Sequence, residues 1–124
     1  MPTYIAIAIG GTLGCWARYA LTGFIQSIAG RSFPAATLCI NVIGCLLMGY
    51  LATVTLERVV ISPALRTGIL TGGLGGFTTF STFGMETLVL LQQGAPGKAV
   101  LYVAASVGLG ITAAFIGFYL ARLT

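Results

Sequence analysis

Four long apolar stretches dominate this chain, at about residues 4–28, 33–56, 65–91 and 98–120. Each exceeds the roughly 20 residues that a helix needs to cross the hydrocarbon core of a bilayer. Of the 124 residues, 57% are hydrophobic and only 6% are charged, whereas soluble domains carry about 25% charged residues. Too few charges remain to cover a water-facing surface. The expected fold is therefore an all-α integral membrane protein. It forms a single domain, residues 1–124, of four transmembrane helices. The joints are short and hold the turn and charge signals: 29–32, 57–63 and 92–97. An even number of crossings puts both termini on one side. No charge precedes Arg18 and the first stretch is long, so it is expected to be retained rather than cleaved as a signal peptide.

Several function classes drop out. The net charge is +4, but the basic residues are scattered, and no cluster suggests nucleic acid or an anionic-lipid patch. There is no histidine, and the three cysteines, Cys15, Cys39 and Cys45, lack CxxC spacing. They are expected to be small packing residues, not metal ligands or disulfide partners.

Basic residues in loops normally orient a membrane protein. Arg58, Arg66 and Arg122 fall on one side, Arg31 and Lys98 on the other, and Arg18 in the second half of its helix is ambiguous. With no clear bias, the chain is expected to insert in both orientations and pair as an antiparallel, dual-topology homodimer. The alternative is a single orientation set by a weak bias or a helper. Four helices also leave little room for a water-filled path inside one copy, which favours assembly in either case.

The third stretch is the least ordinary. It reads Gly72-Gly73-Leu74-Gly75-Gly76-Phe77-Thr78-Thr79-Phe80-Ser81-Thr82-Phe83. Glycine costs about 1 kcal/mol against alanine in a helix, so four within five residues predict a break near Gly75. Broken backbone at membrane depth survives only if buried in protein or lining a polar cavity, and freed carbonyls suit a small hard cation. Phe80 and Phe83 are three apart and share a helix face. Ring edges are electropositive and can stabilise a small anion, although two such rings also serve as ordinary packing. Thr79, Ser81 and Thr82 supply neutral donors, or simply bond to the preceding turn. Glu86, the only acid inside a span, is expected to reach interfacial water or an arginine.

The other spans add fewer features. Gly10 and Gly14 lie four apart and allow another backbone to approach closely; no Gly-Lys-Ser/Thr follows to make a nucleotide loop. Arg18 is expected to snorkel or to pair with carbonyls or a glutamate. Thr37 and Asn41 share a face, and Asn41 either ties helices together or presents a donor to a passing anion. In the fourth span, Ser106 and Gly110 share a face that packs closely or lines a path, and Tyr102 reads as a residue of the aromatic belt.

Gly10-Gly11-x-x-Gly14-x-x-x-Arg18-Tyr19, then Thr37-x-x-x-Asn41-x-x-Gly44, then Gly72 to Phe83 occur in that order. With these motifs, nearly the whole chain resembles the Fluc-type (CrcB-like) fluoride channel family. The resemblance implies an antiparallel homodimer with two fluoride pores, located in the cell inner (plasma) membrane as a multi-pass protein. It implies passive fluoride export, and so fluoride resistance, without enzymatic activity. Phe80 and Phe83 would line the pores, with Asn41 the associated hydrogen-bonding residue. Ser81, Thr82, Thr37 and Ser106 would be candidates for a polar track. A central structural sodium ion (Na+) would be held by the backbone carbonyls of Gly75 and Thr78 from both copies. The partners implied are fluoride, membrane lipid and a second copy, with no nucleic acid.

Two rival classes share the size and charge balance. A small dual-topology, proton-coupled multidrug exporter would need a glutamate in the first helix, and that span has no acid. A non-transporting membrane assembly subunit would use the glycines only for packing.

Overall fold

The computed structural model describes residues 1–124 and is all-helical. Helix α1 runs Pro2–Ala29 and α2 Ala35–Glu57. A rod over residues 63–77 follows, made of α3 (Pro63–Thr67), a π-helical segment (Gly68–Leu74) and α4 (Gly75–Phe77). Helices α5 (Phe80–Gln92) and α6 (Pro96–Leu123) complete the chain. Proline at the first helical positions starts α1, α3 and α6, where its missing N–H costs nothing.

Helices α2 and α6 are each long and apolar enough to cross a membrane, with mean hydropathy 1.9 and 2.1. Only 22% of each apolar window is buried within the protein, which separates them from core helices of a soluble domain. The other two expected crossings are less plain. Helix α1 has the length, at 28 residues, but glycines, threonines, Arg18 and Gln26 dilute it. The third is cut into shorter pieces.

Helix packing is by backbone. A Cβ added to Gly10 would strike the Gly68 carbonyl and, at 2.9 Å, the Gly73 nitrogen; one on Gly14 would meet the Gly73 carbonyl and the Phe77 nitrogen. From the other side, a Cβ on Gly72 or Gly76 would meet the Ile7 or Gly11 carbonyl at 2.8 Å. Helix α1 and the 63–77 rod are therefore in direct main-chain contact, the close approach that small residues permit in membranes. Gly49 against Ala114, and Gly117 against Leu46 and Tyr50, do the same between α2 and α6.

This packing corrects the expected break near Gly75. Gly72, Gly73, Gly75 and Gly76 all remain helical, with φ −63° and ψ −38° at Gly75. The backbone departs from helix at Thr78 (φ −86°, ψ 161°) and Thr79 (φ −152°, ψ 117°). The glycines serve the contact with α1, which offsets their poor helix propensity. A π turn, pairing residues five apart, accommodates them.

At one end of the bundle Arg122 Nη2 donates to Glu57 Oε1 at 2.9 Å, and Arg58 Nη2 donates to the Arg122 carbonyl at 2.7 Å. The Arg122 guanidinium lies 4.4 Å from the centroid of the Phe118 ring. Pro2 and Leu65 line one groove, so both termini lie at the end that carries Arg58 and Arg66.

Candidate ion site at the Thr78–Thr79 break

Two extended residues interrupt the third helical rod, and their polar backbone needs partners. Asn41 supplies them. Its Nδ2 donates to the Thr79 carbonyl at 2.9 Å, and its Oδ1 accepts from the Thr79 N–H at 2.8 Å. This double pairing fixes which way the amide points, because only Oδ1 can receive an N–H. One Nδ2 hydrogen is left over. The Thr79 hydroxyl then starts α5 as its N-cap, accepting from the Thr82 N–H at 3.3 Å. It also donates to the Thr82 Oγ1 at 2.9 Å. The Thr78 side chain donates back to the Leu74 carbonyl at 2.9 Å. Gly44 makes room for the break: a Cβ there would collide with the Thr78 methyl.

Two clefts flank Thr79. The first, about 300 Å³, is bounded by Asn41, Phe80, Phe83 and Ser106, with Cys45 and Met48. The Phe80 and Phe83 centroids are 5.5 Å apart. Phe83 also lies 5.1 Å from Tyr102, whereas Phe80 is 83% exposed. The Ser106 hydroxyl is buried and has no hydrogen-bond partner in the protein. An unpaired buried hydroxyl is costly, and Ser106 places one in the wall of the first cleft. The second cleft, about 400 Å³, brings Thr37 and Thr82 together with Arg18, Gln26 and Glu86. Asn41, Phe80, Phe83 and Ser106 thus meet on one side of Thr79, and Thr37 and Thr82 on the other. Ser81 lines neither cleft; its Oγ lies 3.4 Å from the Thr79 hydroxyl.

Of the two carbonyls expected to hold a cation, Gly75 belongs to regular helix, but its usual partner four residues on, the Thr79 N–H, is bonded to Asn41 instead. The Thr78 carbonyl accepts no hydrogen bond. Both oxygens are hard donors of the kind sodium takes, and the residues present fit such an ion.

One side chain differs from expectation, a second has a new neighbour, and a third takes the unpaired one of its expected alternatives. Tyr102 is not a belt residue: it is 0% exposed, edge-on to Phe33 at 5.7 Å, and its hydroxyl donates to Glu86 Oε1 at 3.2 Å. Glu86 accordingly meets a tyrosine and no arginine. Arg18 pairs with neither carbonyl nor carboxylate, and its one contact is the Cys15 sulfur at 3.7 Å. Thr79, the junction of both clefts, stood in the sequence only as one hydroxyl among several. Glu86 as the lone acid of the spans was the signal that a polar-tipped neighbour such as Tyr102 should be sought.

An interrupted helix, clamped by a side-chain amide and flanked by two clefts with neutral donors and aromatic rings, marks a small helical membrane protein with a polar break between its helices. The sequence matches the family described as "CrcB-like protein, Camphor Resistance (CrcB)" over residues 5–118. It is 53% identical over 122 residues to the "Fluoride-specific ion channel FluC" of Acidithiobacillus ferrooxidans, covering 98% of each chain. It is 50% identical over 120 residues to "Fluoride-specific ion channel FluC 1" of Moorella thermoacetica, covering 97% of this chain and 86% of that one. The FluC of Geobacter sulfurreducens is 47% identical over 122 residues, 98% of each. The chain belongs to the CrcB-like family.

Proposed function

We propose that this protein is a fluoride-selective ion channel that lets fluoride leave the cell passively, and that it is not an enzyme. The single observation that carries the reading is the Thr78–Thr79 break clamped by Asn41, with two phenylalanines and an unpartnered serine hydroxyl beside it. Fluoride is small and tightly hydrated, so its water must be replaced by several short donors at once. The spare Asn41 hydrogen and the Ser106 hydroxyl supply donors, and the Phe80 and Phe83 ring edges add weak positive potential without a fixed charge. Conduction needs binding that is favourable enough to admit the ion and weak enough to release it. Thr37 and Thr82 continue the polar lining on the far side of Thr79, and Ser81 stands beside the Thr79 hydroxyl. The names carried by relatives of about 50% identity over nearly the full chain support the same substrate.

The working unit of this proposal is an antiparallel, dual-topology homodimer with two pores, spanning the plasma membrane several times. The balanced charge and the many large apolar side chains left exposed on one copy support it; Phe80, Trp16 and Val107 are examples. Gly75 and Thr78 carbonyls from both copies would hold a structural sodium ion, which supplies fixed positive charge at the seam.

Liposomes containing the purified protein alone test the reading. Fluoride efflux without a pH gradient is the expected result. Drug flux that requires a proton gradient would instead establish an exporter, and no flux at all would establish an assembly subunit. Depleting sodium should weaken the dimer or its flux; indifference to sodium would remove the carbonyl site.

A further inference from the structure

A third cleft, about 230 Å³, opens at the bundle end opposite the termini and is lined by Gln26, Arg31, Ser32, Glu86 and Gln93 among others. Gln26 and Glu86 also line the cleft that holds Arg18, Thr37, Thr82 and Thr79. Shared walls make the two clefts neighbours, one at the loop after α1 and one at the break. Arg31 stands on the outer of the two. It is exposed, and no acid lies within ion-pair distance of it, since the chain's one salt bridge joins Glu57 to Arg122. Its backbone follows Gly30, whose positive φ of 74° turns the chain out of α1 and onto the mouth.

We propose that Arg31 is the collector of the anion route: an unpaired cation at the mouth that raises the local anion concentration before the ion reaches Thr79. This rests on the channel reading and adds a specific role for a residue outside the dehydrated site. Arg31 and Arg18 together outweigh the single negative charge of Glu86 on the way in. A wall of one sign of charge concentrates counter-ions and speeds capture, and salt screens the effect. Across the roughly 7 Å span of a cleft this size, one unit charge in water multiplies local anion concentration about threefold.

The test is fluoride efflux from liposomes for the wild type, R31Q, R31K and R31E at several concentrations of an impermeant salt. At low ionic strength R31Q should lose about threefold and R31E about sevenfold, while R31K keeps the wild-type rate. At high salt all four should converge. A loss in R31Q that is equal at every ionic strength, or no loss at low salt, would overturn the collector role. If the wild type itself carries no fluoride, it is the channel reading that fails. Since Arg31 is exposed and in a loop, assembly of each variant can be checked by size-exclusion elution before flux is measured.

Discussion

Asn41 gives the sharpest quantitative expectation. Its side chain makes two hydrogen bonds to one residue, at 2.9 and 2.8 Å, and these serve the N–H and C=O of Thr79 at the break. Asn41→Ala leaves the Thr79 N–H and C=O unpaired in a half-buried position. An unsatisfied group costs about 1–3 kcal/mol, and hydrogen bonds within membrane proteins fall toward the lower part of that range. The two together should cost about 2–4 kcal/mol. Asn41→Asp separates the two bonds. The carboxylate still accepts from the Thr79 N–H, but its second oxygen faces the Thr79 carbonyl across the distance now spanned by N–H···O. One attraction becomes a repulsion, so Asp is expected to be the worse substitution at neutral pH despite its nearly identical shape. Thermal unfolding in detergent should rank wild type above Ala above Asp, and fluoride flux should fall in the same order. Wild-type stability and flux in Asn41→Asp would refute the clamp.

Three further outcomes follow from the same geometry. Ser106→Ala removes a buried hydroxyl that has no partner in the protein, so unfolding should be unchanged or slightly later, while fluoride flux falls; unchanged flux would show the hydroxyl to be idle. Phe80→Ile and Phe83→Ile should both reduce flux with the dimer intact, but only Phe83→Ile should also cost stability, by about 1–2 kcal/mol. The reason is that Phe83 packs on Tyr102 while Phe80 is open; full flux in both would end the ring-edge argument. Gly10→Ala should destabilise by about 1–3 kcal/mol as α1 is pushed off the 63–77 rod, whereas Gly23→Ala, with nothing near its absent Cβ, should gain up to about 1 kcal/mol. Equal unfolding temperatures for the two would contradict main-chain packing of these helices.

Much of the architecture could be read from residue order alone. Hydropathy and scarcity of charge marked the four helical stretches to within a few residues, because a long apolar run has few alternatives to helix where water is absent. The short joints between them held glycine, proline and charge. The same local reasoning misplaced the break. Glycine propensity pointed to Gly72–Gly76, yet those residues are the contact surface for α1, a fact carried by Gly10 and Gly14 some sixty residues away. Nothing local distinguishes a glycine that breaks a helix from one that lets a second helix touch it.

The candidate site divides in the same way. Phe80, Phe83 and the hydroxyls at 78, 79, 81 and 82 sit side by side in the chain, so their grouping was visible from spacing. The partnership of Asn41 with Thr79 spans 38 residues, and that of Tyr102 with Glu86 spans 16; neither is set by helical periodicity. Composition and periodicity decided that this chain is helical and belongs in a membrane, because burial of apolar side chains in lipid depends on what residues are present more than on where they meet. Which backbone groups lose their helical bonds, and which side chain takes them over, depended on the distance between segments remote in sequence, and only the folded arrangement settles such distances.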